Sequence, residues 1–143
     1  MFDDIYNSEI LNHAAHITHI GRLQTPDASA YKHSRLCGST TTVDLNMEDD
    51  IITAFAQDVH TCALGQASAS IMAQHIIGAN VQELKALCQT MQVMLTENGA
   101  PPQGKFADFG CLQPVKTYKA RHASVMLVFE AIADCIRQIE NRR

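Results

Sequence analysis

Five cysteines and seven histidines carry most of the chemistry open to this 143-residue sequence. Cys37 stands in Arg35-Leu36-Cys37-Gly38-Ser39, and Cys62 opens a run of small residues. Cys111 lies in Phe109-Gly110-Cys111-Leu112, while Cys88 and Cys135 fall on apolar stripes. An odd number of thiols, in a chain read as cytoplasmic, fits metal ligands, sulfur carriers and buried thiols better than a disulfide framework. Thiolates are the soft ligands that iron-sulfur clusters and zinc both favour. His13, His16 and His19 recur every three residues, a period that drifts around a helix. They read as a solvated or partner-facing stripe rather than a metal site, because an i, i+4 pair is the better helical chelating geometry.

The elements that must position these groups follow from periodicity. Thr41, Val43 and Leu45 alternate with Thr40, Thr42 and Asp44, residues 46–50 supply turn chemistry, and β-formers resume over 51–59. This is an antiparallel hairpin with Cys37 just before it and Cys62 just after it. Antiparallel pairing brings the outer ends of a hairpin together, so the two thiols are expected to share one partly exposed site. Residues 29–33 read as a short edge strand, and Ile10, Leu11, Ala14 and Ile17 give a helix over 3–20 that stops at Gly21. A helix follows Cys62 and ends near Gly78, which places Cys62 where unpaired amides and the helix dipole stabilise a thiolate.

Asn80-Val81-Gln82-Glu83 is a capping-box start, followed by the stripe Val81, Leu84, Leu87, Cys88, Met91 and Leu95. The last helix buries Val125, Val128, Phe129, Ile132, Ile136 and Ile139. Cys88 and Cys135 are therefore expected to be packed, inert thiols. The order predicts a single α+β domain over 1–143: an N-terminal helix, then a small three-stranded antiparallel sheet covered on one face by C-terminal helices.

Composition narrows the function. A hydrophobic fraction of 46% supports a core without staples, and a formal net charge of −4 argues against nucleic acid as a partner. The acidic start Met1-Phe2-Asp3-Asp4 and the lack of any run of 18 apolar residues point to a cytoplasmic protein with no membrane partner. Nothing resembles a nucleotide loop, a Ser/His/Asp hydrolase or a two-His metalloprotease, so an enzyme is not expected.

Three segments together resemble the IscU/NifU/SufU family of iron-sulfur cluster assembly scaffolds: Cys37-Gly38-Ser39, Cys62 with its Ala67-Ser68-Ala69-Ser70 helix, and Pro114-Val115-Lys116 leading through Arg121 to Ser124. The likeness runs from about residue 10 to residue 136. It implies a scaffold or carrier that binds iron or a [2Fe-2S] cluster, or zinc at the same site, with Cys37 and Cys62 as carried-over ligands. It also implies a cysteine desulfurase and recipient apo iron-sulfur proteins as partners. Two family ligand positions depart. A match shifted by one residue puts His122 on the His that precedes the third Cys in IscU proteins and Ala123 on that Cys. The ungapped match reads the usual Asp as Ser39 and the third Cys as Ser124. A serine hydroxyl must lose a proton of very high pKa before it ligates well, so both are doubtful ligands.

Two residues are candidates to replace them. His122 offers a neutral imidazole, as in mixed Cys/His cluster sites, or is simply a histidine satisfied by backbone at the mouth of the last helix. Cys111 offers a thiolate, or is a core or short-helix cysteine. His122 is preferred, because it shares a helical face with Val125, Phe129 and Ile132, whereas Cys111 needs the 114–119 connection to fold back. Leu112-Gln113-Pro114-Val115-Lys116 also resembles the Leu-Pro-Pro-Val-Lys element through which IscU proteins engage a specialised heat-shock chaperone. Lys116, Lys119 and Arg121 read as a basic rim for a desulfurase or as a solvated face. Two alternatives stand beside the scaffold: a persulfide-accepting sulfurtransfer partner of a desulfurase, and a degenerate regulatory paralogue without a cluster.

Overall fold

The computed structural model describes residues 6–35 and 38–142. Three strands, β1 (Ala28–His33), β2 (Thr40–Glu48) and β3 (Ile51–His60), form one antiparallel sheet in the order β1-β2-β3. β2 and β3 are joined by the two residues Asp49 and Asp50, whose φ of 52° and 63° make the type I′ geometry that matches strand twist. The turn is thus tighter than the expected 46–50, and pairing shifts by one residue at Asn46/Met47 instead. At the open end Thr40 pairs with His60, so the residues on either side of the hairpin are neighbours.

Helix α1 is Ser8–Ala15, capped by Asn7, whose side chain accepts from Ile10 N at 3.0 Å. It is shorter than the expected helix over 3–20, of which residues 3–5 lie outside the described residues. The chain is drawn off at His16 and laid along β3: Gln57 N donates to His19 O at 2.9 Å and Gly21 N to Gln57 O at 2.8 Å. His19 accepts a φ of 59° to allow this, so sheet pairing overrides helical propensity.

Helix α2 (Ala63–His75) is buried on almost every side, and only small residues permit that: Gly65, Ala67, Ser68, Ala69 and Ser70 are all buried. Helix α3 (Val81–Thr96) begins with the expected capping box, Asn80 Oδ1 accepting from Glu83 N and Glu83 Oε1 from Asn80 N. Between α3 and α4 (His122–Asn141) the chain forms a 3₁₀ segment, Gly104–Thr117. Phe106, Phe109, Leu112 and Val115 recur every third residue and are all buried, which is the period a 3₁₀ helix of three residues per turn requires. Phe109 packs on Phe129 of α4 with ring centroids 5.1 Å apart. The helices lie on one face of the sheet: Cys135 of α4 places its sulfur 3.5 Å from Val43 O of β2, and Gln138 donates to Ser29 O of β1.

Alternation puts Val43 and Leu45 in the core and Asp44 on the opposite face, yet Asp44 is also fully buried. The 21–27 loop covers it. Arg22 donates to both carboxylate oxygens at 2.7 and 3.0 Å, Leu23 N donates at 2.9 Å and Ser29 Oγ at 2.6 Å. Burial pushes the Asp44 carboxyl up, but the bonds from Arg22, Ser29 and Leu23 outweigh it and hold the group below the ordinary carboxylate range. A depressed folded value means stability present above the unfolded value and lost as pH falls through the folded one. Asp44→Ala should therefore cost about 2–3 kcal/mol at neutral pH, the scale for stranding charge-assisted bonds, and should flatten the acid limb of the stability curve. Urea melts of both proteins between pH 7 and pH 3 check this; parallel acid limbs would show that Asp44 does not set it.

Candidate functional site

Cys62 occupies the N-cap of α2, with extended φ −68° and ψ 173° and a half-buried side chain. Its carbonyl accepts from Gln66 N at 3.0 Å, so the helix is engaged through backbone and the thiol makes no capping bond. A side chain at this point faces first-turn amides, a setting that favours a negatively charged sulfur or sulfide ligand. Because Thr40 pairs with His60, Ser39 runs alongside Thr61, next to Cys62. Ser39 is buried, its carbonyl accepts from Ser34 N at 2.9 Å, and Gly38 N donates to Ser34 O at 2.9 Å. Gly38 has φ 69°, the left-handed region that glycine enters without strain. Cys37 lies outside the described residues, and with it the expected Cys37–Cys62 pairing.

The first turn of α4 closes the site from the other side. A Cβ built on Gly65 would fall 2.5 Å from Thr61 Oγ1 and 3.1 Å from Ser124 O, so Thr61 leaves no room for a side chain at the point where α4 approaches. Ser68 Oγ donates to Val125 O at 2.8 Å across the same contact. Ser124, 1% exposed, is thereby held against the first turn of α2, one turn from Cys62. The backbone at Ser124 and the start of β2 thus both lie toward the Cys62 end of α2.

His122 does not join them. Its Nε2 lies 3.0 Å from Val115 O and 3.1 Å from Lys116 O, and since carbonyls only accept, that nitrogen carries a proton shared between them. Two residues correspond to about 200° around a helix, so His122 leaves α4 on the side away from Ser124. It lines a cleft with Cys88, Gln92, Met126 and Glu130 instead. The preference for His122 as replacement ligand is corrected accordingly: the face it shares with Val125, Phe129 and Ile132 turns to α3 and the 3₁₀ segment.

Cys111 is corrected as well. It stands beside Glu9 and His13 of α1, the three ligand atoms all within 4.8 Å of one another. His13 Nδ1 is 3.4 Å from Gln74 Nε2, near the C-terminal end of α2. Twelve residues of helix separate Gln74 from Cys62, roughly 18 Å at 1.5 Å per residue. Burial, then Glu9 and Asp108, push the Cys111 thiol up to about 12. Glu9 and His13 have the i, i+4 spacing, a signal that the three-residue histidine period masks in the sequence. The other two histidines disperse: His16 Nδ1 donates to Asn12 O at 2.7 Å, and His19 meets Phe55 edge-on.

Cys135 is fully buried and its thiol is pushed up to about 12, first by burial and then by Asp134 and Asp44. Cys88 is only half-buried, less enclosed than its stripe suggested, with its thiol raised by burial and by Glu130. In the Leu112-Gln113-Pro114-Val115-Lys116 element, Leu112 and Val115 are in the core and Lys116 Nζ donates to Asn98 Oδ1 at 2.6 Å. The element shows a partner only Gln113, Pro114 and the flank of Lys116.

The NifU-like N terminal domain family model matches residues 5–125. Among curated proteins the chain is 26% identical over 141 residues to the iron-sulfur cluster assembly scaffold protein IscU of Thermotoga maritima, with 97% of each chain covered. The crystal structure of a nitrogen-fixing NifU-like protein (N-terminal) from Brucella abortus superposes with a TM-score of 0.98 at 55% identity, covering 99% of both chains. A SUF-system protein of Fervidobacterium islandicum AW-1 shares the fold, with a TM-score of 0.85 at 20% identity over 93% of this chain and 97% of that one. With most of its length matched by the family model and its α+β fold reproduced in these structures, the chain belongs to the NifU-like N terminal domain family.

Proposed function

We propose that this protein is a scaffold or carrier in iron-sulfur cluster assembly, which takes iron or a [2Fe-2S] cluster as cargo at Cys62 and Cys37 and passes it to recipient proteins. The observation that carries this reading is the convergence of Cys62 at the α2 N-cap with the β2 start and the first turn of α4. Family membership and the name of the Thermotoga relative support it. The donor set is sparse. Ser39 and Ser124 occupy the remaining ligand positions, His122 is committed to carbonyls, and Cys111 lies at the other end of α2. The site is therefore open, and its coordination is completed by solvent, sulfide or a partner's ligand. Cargo held this way is bound weakly and released readily.

Anaerobic reconstitution with iron and sulfide, followed by visible absorption, tests the reading. Wild-type protein should develop cluster absorbance that a chelator removes quickly, and Cys62→Ser should abolish it. Ser124→Cys restores a third thiolate beside Gly65 and should slow chelator-driven loss by at least about tenfold, the lower end of what a change in a metal site's supporting groups produces. His122→Ala and Cys111→Ser should leave the occupancy nearly unchanged. An unaltered release rate in Ser124→Cys would remove Ser124 from the site.

The uncommitted thiol of Cys62 favours one second reading, sulfur transfer without a cluster. There the Cys62 thiolate attacks the outer sulfur of a desulfurase persulfide: the donor's S–S bond breaks, a new S–S bond forms on Cys62, and the donor leaves as thiolate. Desulfurase turnover should then rise on adding this protein even where reconstitution yields no absorbance, and Cys62→Ser should erase the rise. Unchanged turnover with a normal cluster rejects this route and leaves the scaffold.

A further inference from the structure

Three ligand-bearing side chains that the cluster site does not use come together from two distant parts of the chain. Glu9 and His13 are one helical turn apart on α1, and Cys111 reaches them from the middle of the 3₁₀ segment, between the buried anchors Phe109 and Leu112. Their ligand atoms all lie within 4.8 Å of one another. A tetrahedral ion with bonds of about 2.0–2.3 Å needs ligand separations of roughly 3.3–3.7 Å, so small rotamer changes on a half-buried histidine, a half-buried thiol and an exposed carboxylate close the cage. The backbones that carry them are already fixed by Ile10, Ala14 and Leu112 in the core.

We propose that Glu9, His13 and Cys111 form a second metal site, for a zinc-class divalent cation, which clips α1 to the 3₁₀ segment at the opposite end of α2 from Cys62. One thiolate, one imidazole and one carboxylate suit zinc or a similar borderline ion, whereas calcium and magnesium select all-oxygen sets. The surroundings favour a cation, since Glu9 and Asp108 both bear on the Cys111 sulfur. A supporting partner is in place as well. Gln74 lies 3.4 Å from His13 Nδ1, and turning its amide presents Oε1 to an Nδ1–H, which leaves Nε2 as the metal-binding nitrogen. Three protein ligands leave the fourth position to water. Bound metal would stabilise the folded chain because the unfolded chain holds no such cage.

Cobalt(II) titration separates this site from the cluster site. Full-length protein carrying Cys37→Ser and Cys62→Ser should still bind one Co²⁺ per chain with a thiolate-to-cobalt charge-transfer band. Adding Cys111→Ser should abolish the band, and His13→Gln or Glu9→Gln should weaken affinity by at least about tenfold, the least seen when merely a supporting group is lost. Thermal melts without metal establish that each variant folds, and added Zn²⁺ should raise Tm only where Glu9, His13 and Cys111 are intact. If the double serine variant does not fold, Cys111→Ser alone in the otherwise unaltered chain decides the matter by lowering the thiolate-ligated Co²⁺ stoichiometry from two to one. A charge-transfer band unmoved by Cys111→Ser, or its absence from a folded double variant, overturns the proposal.

Discussion

The close approach of α4 to α2 at Gly65 is the constraint on which the arrangement depends. A side chain at Gly65 would collide with Thr61 and press on the Ser124 carbonyl. Without that contact the last helix could not bring position 124 against the residue that follows the hairpin. The small residues along α2 extend the same logic. A helix packed against α1, α4, the 3₁₀ segment and the sheet leaves little room for long side chains, and the hydroxyl of Ser68 donates to the carbonyl of Val125 across the contact. The Ala-Ser run is therefore both a packing requirement and the means of placing Cys62.

A second polar constraint works on both faces of the sheet. Asp44 gathers Arg22, Leu23 N and Ser29, while the amide of Gln57 donates to Thr18 O and Ala69 O at 3.2 and 3.1 Å. Together they fasten the 16–27 chain over β2 and β3 and tie it to α2. Each is a buried polar group whose partners come from distant sequence, so each fixes one arrangement of the loop rather than merely adding contact. The strand that leads from Ser39 toward the site is thereby held from both faces.

The hairpin, the capped α3 and the helix beginning after Cys62 were legible because their signals are local: alternation, a capping box, a thiol before small helix formers. The α1 boundary was not, because the residues that end it, His19 and Gly21, act by pairing with Gln57 nearly forty positions away. The 3₁₀ segment carried its signal openly, in Phe106, Phe109, Leu112 and Val115, but at a period usually sampled only in short pieces. His122 shows the limit most plainly. Its shared face with Phe129 was read correctly, yet periodicity does not say which neighbour a face meets, and Phe109 takes that face instead of Cys62.

These placements give α2 two chemically different ends. At its start a half-buried thiol stands at the helix N-terminus, the positive end of the dipole. Near its finish a thiol, a carboxylate and an imidazole bring their ligand atoms within 4.8 Å of one another. A single end combining both would hold metal firmly, as three thiolates or two thiolates with an imidazole do. Roughly 18 Å of rigid helix separates the two, so a group held at one end cannot borrow the ligands of the other.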